Sequence, residues 1–324
     1  MLILIPFSMN AQDIHFSQYL SAPFNLNPAF TGSFNGDYRL IGNYRNQWNS
    51  VTVPYLTYGV SGDVSKFMGM NDFGLGASIY YDQAGDGEMN TLIVQLSGSY
   101  AYPLTKDSAH KLVFGLQPSY GRQEVNYSKL NFDNQYNDQI GKYDPTLSSG
   151  EQFDKSNINW VTLGAGLRWQ YKMSPRNKID IGIAGYNLTK PKINYSVDDN
   201  RLEQRMNFHG NIQVKTFEKL DVIPGFLYTS QGSSSELLMG ASARYIYNGF
   251  TAFHLGYWYR NKDAGFMSVG LTFQSLYFGL SYDINTSKLS EASRGRGAFE
   301  LSLIYIMRKF KPKDGKYLSC PNYL

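Results

Sequence analysis

Apolar and polar side chains alternate along most of this chain with a period of two residues. In residues 205–215, the apolar Met206, Phe208 and Ile212 are separated by polar side chains. The same alternation recurs in residues 73–82 and 160–171. Because successive side chains of a β-strand point to opposite faces, this pattern predicts strands with one apolar and one polar face.

About fourteen such segments follow one another, most of them near the 9–11 residues that a tilted membrane strand requires. They predict an all-β fold, a transmembrane antiparallel up-and-down β-barrel of about 14 strands. The predicted strands cover residues 37–47, 54–66, 72–82, 89–102, 110–122, 158–171, 178–188, 204–216, 218–229, 236–247, 250–260, 264–274, 276–285 and 297–309.

The connections between the predicted strands alternate in length. Those after even-numbered strands are brief, as at residues 104–109 and 174–177, whereas residues 126–157, 189–203 and 286–296 form long connections. Outer-membrane barrels have short periplasmic turns and longer outer loops. We therefore expect a protein of the outer membrane of a Gram-negative bacterium, with both termini in the periplasm.

Composition agrees with a barrel that faces lipid on one side and water on the other. Aromatic residues make up 15% of the chain and charged residues 17%, compared with about 25% charged residues in typical soluble domains. No run of about 20 apolar residues offers a transmembrane helix. A soluble β-sandwich is the alternative, but it rarely carries so many aromatic residues near strand ends, where they meet lipid headgroups. Here these are residues 80–81, 100–102, 245–247 and 257–259.

Three segments lie outside the expected barrel of residues 36–310. Residues 1–11 have an apolar core and end on the small residue Ala11, as a signal peptide does, although a buried first strand is the alternative. Residues 12–35 form an N-terminal segment that plugs the lumen or crosses the periplasmic mouth. Within it, Asn27-Pro28 cannot lie inside a strand, because proline lacks an amide donor. Residues 311–324 form a periplasmic C-terminal tail.

The sequence offers little chemistry that points to catalysis. The four histidines show no metal-ligand spacing, and the single Cys320 excludes an internal disulfide. The parity of His209 places it in the lumen, away from the outer face on which barrel lipid hydrolases carry a histidine. We expect no enzymatic activity, no cofactor, no metal site and no nucleic-acid partner, since the net charge is a mild +4. The charged side chains predicted in the lumen form either a charged pore or an ion-paired plug: Arg168, Arg205, Lys215, Arg244, Arg260 and Glu300.

An ordered set of short motifs resembles the PorP/SprF family of type IX secretion system membrane proteins. It comprises residues 16–19 (Phe-Ser-Gln-Tyr), 27–32 (Asn-Pro-Ala-Phe-Thr-Gly), 44–48 (Tyr-Arg-Asn-Gln-Trp), 257–263 and 282–285. The resemblance spans nearly the whole chain after residue 11. It implies an outer-membrane barrel that binds and anchors, or helps to export, a surface protein with a C-terminal secretion domain, often an adhesin used in gliding or attachment.

We expect the motif residues and the long outer loops to make the contacts with such a partner. Other type IX secretion components on the periplasmic side and outer-membrane lipid are further expected partners. The alternative function is a general or substrate-selective porin, and the alternative role of the motif residues is structural. The candidate partner-binding residues are Asn27, Pro28, Ala29, Gly32, Arg45, Gln47, Trp48, Tyr143, Asp283 and Asn285.

Overall fold

The structure is a computed structural model, and it shows a closed antiparallel barrel of fourteen strands. It describes residues 13–47, 54–70, 72–85, 87–130, 132–137, 139–144, 146–148, 150, 156–193, 200–286 and 295–308. The barrel strands are β1 (Tyr38–Gln47), β2 (Tyr55–Val64), β3 (Phe73–Ala84), β4 (Met89–Pro103), β5 (His110–Glu124), β8 (Asn157–Lys172), β9 (Lys178–Tyr186), β10 (Arg205–Phe217), β11 (Leu220–Gln231), β12 (Ser234–Ile246), β13 (Thr251–Arg260), β14 (Ala264–Phe273), β15 (Leu276–Asn285) and β16 (Arg296–Met307).

Each barrel strand pairs with its neighbours in sequence order, and β1 closes the barrel against β16 in register from Tyr38↔Met307 to Gln47↔Ala298. The predicted fold class is therefore confirmed. Closure leaves every strand paired on both sides, which a sheet surrounded by lipid requires. Among the described residues, no helix has the length and apolar character to span a membrane.

The barrel has two unlike ends, which we call the turn end and the loop end. The turn end carries the first residue of β1, the last of β16 and the short connections 65–72, 104–109, 173–177, 218–219, 247–250 and 274–275. The loop end carries all the other connections. The longest, residues 125–156, contains a small hairpin of β6 (Tyr136–Asn137) and β7 (Lys142–Tyr143), which the sequence pattern did not predict.

Alternation along the strands places apolar side chains outward and polar ones inward. Val60 and Val161 are about two-thirds exposed on the outer face, at 66% and 68%, as expected for a surface that meets lipid. Two aromatic residues that we expected at the lipid headgroups do not face outward. Tyr80 and Trp258 point into the lumen and are buried, at 3% and 5% exposed, because their neighbours in sequence take the outward positions.

Residues 13–36, which we call the inner segment, run through the lumen from the loop end to the turn end. Its start lies at the loop end, where the Asp13 amide donates to Gln231 Oε1 at 2.8 Å at the end of β11. Its last residues lie at the turn end, where the Gly32 amide donates to Asp63 Oδ2 at 2.7 Å. The segment contains α1 (Pro23–Leu26) and two 3-10 turns, Tyr19–Ser21 and Pro28–Phe30.

The expectation that both termini lie in the periplasm concerns residues 1–12 and 309–324, which lie outside the described residues. The even strand count does bring the start of β1 and the end of β16 to the turn end. The inner segment, however, carries the chain back through the barrel, so the first described residue lies at the loop end. The expected signal peptide, Trp48, Cys320 and the C-terminal tail lie outside the described residues.

Candidate functional site: the lumen and its inner segment

A buried charge cluster near the loop end holds the start of the inner segment. The Ser17 amide donates to Glu300 Oε1 at 2.6 Å, and the Ser17 hydroxyl donates to Asp283 Oδ2 at 2.8 Å. The same hydroxyl accepts from Arg45 at 2.7 Å and from Arg260 at 2.8 Å. Arg45 also pairs directly with Glu300. All four charged side chains are at most 2% exposed.

The cluster makes this end of the segment difficult to withdraw. Two arginines face two fully buried carboxylates, and Ser17 supplies hydrogen bonds to both signs of charge. A hydrogen bond to a charged group contributes about 1.5–3 kcal/mol. Withdrawing the segment would break these hydrogen bonds and leave the buried charges with only one another as partners.

Arg205 of β10 provides a second attachment beside the first. Its guanidinium donates to the Ile14 carbonyl at 2.9 Å and to Asn25 Oδ1 at 2.7 Å. It also lies over the Tyr186 ring, at 4.4 Å from the centroid, and 3.8 Å from the Asp13 carboxylate. One wall residue thus joins two points of the inner segment that are eleven residues apart.

The middle of the inner segment binds the wall through Asn27. Its amide nitrogen lies 3.2 Å from the Leu167 and Ile183 carbonyls and 3.1 Å from His209 Nε2. Its side-chain oxygen accepts the Ala29 amide at 2.9 Å and so caps the following 3-10 turn. Asn27 is fully buried, and its side chain anchors the inner segment to three adjacent strands, β8, β9 and β10.

Inward-facing glycines allow the segment to approach the wall this closely. A Cβ atom at Gly166 would lie 2.0 Å from Asn27 Oδ1, and one at Gly115 would lie 2.4 Å from the Ala29 nitrogen. Distances below 3.0 Å are not sterically possible, so any other residue at these positions would displace the segment. The glycines therefore form a seat for the Asn27–Ala29 turn.

The end of the segment is fixed by two more buried ion pairs at the turn end. Arg39 and Asp63 form a bidentate pair at 2.9 and 2.7 Å, and Asp63 also accepts the Gly32 amide. Arg168 pairs with Asp180 at 2.8 Å and donates to the Ser33 hydroxyl. Bidentate arginine–carboxylate pairs are among the stronger and more directional contacts in proteins.

Aromatic contacts fill the lumen between these polar attachments. Tyr19 packs edge-on against Trp258, with ring centroids 5.4 Å apart, and joins a buried cluster with Leu26 and Phe266. Phe16 contacts Tyr80 at 6.0 Å. Tyr80 and Trp258 thus pack against the inner segment and do not face the lipid interface.

Little space is left around the segment in the loop half and middle of the lumen. Three cavities that border it measure about 40, 30 and 70 Å³. An apolar cavity of roughly 150 Å³ holds one benzene ring, so these spaces accommodate a few waters but not an aromatic ring. A larger chamber of about 820 Å³ opens at the turn end, beyond Thr31.

Most residues that the sequence singled out for partner binding lie in this lumen. Eight of them lie in the barrel interior: seven form or contact the inner segment or its charge cluster, and Asn285 is buried at the loop end of β15. Asp283 and Arg45 are among the most deeply buried side chains. Tyr143 lies instead on the loop-end hairpin. The eight are Asn27, Pro28, Ala29, Gly32, Arg45, Gln47, Asp283 and Asn285.

The predicted lumen charges are ion-paired rather than arranged around an open pore. Arg168, Arg205, Arg260 and Glu300 contact the inner segment, as described above. Arg244 pairs with the fully buried Asp221, which also binds Arg176 at 2.5 Å. Lys215 differs, because its side chain is exposed near the turn end.

Sequence reasoning missed the residues that carry the attachment on the segment side. Ser17 belongs to the Phe-Ser-Gln-Tyr motif, yet nothing local marks its hydroxyl as the centre of a charge cluster. The acidic partners Asp63 and Asp180 were also missed. Their inward parity within β2 and β9 is the signal that could have identified them.

The hairpin at the loop end presents exposed apolar groups beyond the barrel wall. Tyr136, Ile140 and Tyr143 are 54%, 58% and 38% exposed. The hairpin is braced from within, since Tyr143 donates to Gln135 Oε1 at 3.3 Å. The Thr146 hydroxyl and amide hold the pKa of the neighbouring Asp144 below its usual value, which keeps this carboxylate ionised beside the exposed rings.

Comparison with known proteins agrees with this architecture. The family model for the type IX secretion system membrane protein PorP/SprF matches residues 8–305. No functionally curated protein matches the chain by sequence.

Several solved outer-membrane barrels share the fold. The toluene transporter TbuX of Ralstonia pickettii superposes with a TM-score of 0.53 at 10% identity, over 88% of this chain and 92% of that one. The CymD monoaromatic hydrocarbon channel gives 0.51 at 11% identity, over 89% and 93%. A FadL homologue of Pseudomonas aeruginosa gives 0.50 at 14% identity, over 88% and 93%. At these identities the likeness concerns the fold alone.

Proposed function

Because the chain belongs to the PorP/SprF family of type IX secretion system membrane proteins, we propose that it binds a secreted surface protein at the outer membrane. In this function it anchors the surface protein or assists its export, in adhesion or gliding. The observation that carries the proposal is the filled lumen. A lumen occupied by the protein's own chain is not an open pore, which favours a function at the ends and loops of the barrel over free diffusion of solutes.

The attachments of the inner segment support this over the porin alternative. Backbone amides of the segment donate to buried, ion-paired carboxylates at both ends, to Glu300 near the loop end and to Asp63 near the turn end. A hydrogen bond to a charged group contributes about 1.5–3 kcal/mol. The transporters that share the fold are named for toluene and monoaromatic hydrocarbons, but the cavities of about 30–70 Å³ here are too small for such molecules.

The loop end is the side that we assign to the surface protein. Long outer loops and short periplasmic turns are the rule in outer-membrane barrels, so the loop end faces outward and the turn end faces the periplasm. Tyr136, Ile140 and Tyr143 then form an exposed, aromatic surface above the membrane, and tyrosine-rich surfaces suit protein recognition. On this assignment, Asp283 and Arg45 stabilise the plug and do not touch the partner.

A pulldown from mild detergent, followed by mass spectrometry, tests the proposal. The wild-type barrel should co-purify with a surface protein that carries a C-terminal secretion domain. The double variant Ile140→Ala/Tyr143→Ala should lose most of that protein. The matched control Leu104→Ala/Met173→Ala removes comparably exposed side chains at the turn end and should retain it.

Two results would contradict the proposal. Recovery of the wild-type barrel alone, with no surface protein attached, removes the anchoring function. Ion conductance of the wild-type barrel in a planar bilayer, at the level of an open porin, supports the alternative instead. An epitope tag inserted beside Ser148 tests the orientation, because antibody should reach it on intact cells.

A further inference from the structure

The turn end of the lumen contains an open, polar vestibule of about 820 Å³. Residues 31–36 of the inner segment form its floor together with Asp37, and the inner faces of β4, β5 and β8 form much of its wall. This volume falls within the range of about 300–1,000 Å³ that is usual for ligand sites. Unlike the cavities deeper in the lumen, it is large enough for part of another molecule.

Positive charge dominates the lining of the vestibule. Among the described residues of the lining only Asp37 and Asp72 are acidic; Asp72 lies 3.6 Å from Lys111, and Arg168 is paired with Asp180 behind the lining. Lys66, Lys172 and Lys178 form no ion pair with a described residue. The six cationic residues of the lining are Lys66, Lys111, Arg168, Lys172, Lys178 and Arg308.

The cations are spread around the chamber rather than gathered at one point. They come from the β2–β3 turn, from β5, β8 and β9, and from the residue that follows β16. In the closed barrel these elements run around a continuous arc from β16 through β1 to β9. A single small anion could engage one side of this arc, whereas an extended chain with several negative charges can engage all of it.

We propose that this vestibule binds an extended acidic peptide segment of a partner protein that approaches the turn end. The low-dielectric barrel wall focuses the field of the unpaired lysines into the chamber, which attracts and orients such a segment. A peptide in the chamber would rest on the floor made by the inner segment, and so contact the plug directly.

The site is separate from the hairpin assigned to the surface protein, and its test is independent of that assignment. The probe is a short fluorescein-labelled peptide of alternating Glu and Ser, with a Gln-for-Glu peptide as its uncharged counterpart. Fluorescence anisotropy with the full-length barrel in detergent, at low salt, measures binding. We expect the acidic peptide to bind and the uncharged one not to bind.

Matched charge reversals then locate the site. Lys66→Glu/Lys172→Glu should weaken binding about tenfold or more, since it reverses two unpaired charges of the vestibule. Lys106→Glu/Lys219→Glu makes the same change in net charge at exposed turn-end positions outside the vestibule and should weaken binding less than about threefold. Heat-modifiable migration on gels verifies that each variant remains a folded barrel.

Three outcomes would overturn the proposal. The wild-type barrel could fail to bind the acidic peptide. Both double variants could weaken binding equally, which would assign the effect to net charge. Inorganic tripolyphosphate could bind the vestibule while the peptide does not, which would make it a site for small polyanions. In each case the pulldown of the surface protein is unaffected, so the two proposals fail separately.

Discussion

Replacement of Glu300 by glutamine should loosen the inner segment while leaving the barrel intact. Glu300 accepts the Ser17 and Gln18 amides at 2.6 and 2.9 Å and pairs with Arg45. Glutamine has nearly the same shape but only one acceptor oxygen. One of the two backbone amides would therefore face an NH₂ group, and Arg45 would lose a counter-charge.

The magnitude follows from the contacts that exist only when the segment is in place. A hydrogen bond to a charged group contributes about 1.5–3 kcal/mol. Loss of one such bond should raise the equilibrium constant for release of the segment roughly 10- to 150-fold. The full cost of about 3–5 kcal/mol for breaking a buried pair is an upper bound, because Arg45 still lies within 3.5 Å of Asp283.

Thiol labelling measures this release directly. Cysteine is placed at Ala22, which is 2% exposed and borders the cavity of about 40 Å³, in a background in which Cys320 is serine. When the segment opens and closes faster than the thiol reacts, the labelling rate follows the open population. Glu300→Gln should then raise the rate roughly 10- to 150-fold.

A matched control and a refuting result complete this test. Glu203→Gln removes a carboxylate that pairs with Lys190 at 3.3 Å and is 51% exposed. An exposed pair contributes little, so its labelling rate should equal that of the parent. If Glu300→Gln changes the rate by less than about threefold in a barrel that still migrates as folded, the charge cluster does not retain the segment.

Two further predictions concern the seat of the segment and the stability of the barrel. Gly166→Val should displace the segment, because a Cβ there would lie 2.0 Å from Asn27 Oδ1, and the variant should therefore show channel openings in a planar bilayer. The control Gly42→Val, where a Cβ has no atom within 4 Å, should show no openings. Openings in both variants or in neither would contradict the reasoning. Asp221→Asn should lower the free energy of unfolding in urea by about 3 kcal/mol, because it leaves two arginines without their buried partner. The exposed Asp107→Asn should change it by less than about 0.5 kcal/mol, and equal effects would show that the buried pair contributes nothing.

The sequence by itself determined the barrel wall. Residues 276–285 were predicted as a strand and form β15 over the same residues, and the other boundaries agree to within about three residues. The physical reason is local. Each strand must present apolar side chains to lipid and polar ones to the interior, so the alternation of apolar and polar residues is visible in each strand by itself. The ordered motifs likewise sufficed for the family, which the match over residues 8–305 confirms.

Only the tertiary structure decided what fills the barrel and which charges meet there. Ser17 lies 266 residues from Asp283 and 283 residues from Glu300 along the chain, and nothing in a strand pattern relates such positions. The pattern suggested Arg45 as a partner-binding residue and placed Tyr80 in a lipid belt, whereas closure of the barrel brings both to the inner segment. Threading through the lumen also decided that Asp13 lies at the loop end, because strand parity fixes only where β1 and β16 lie.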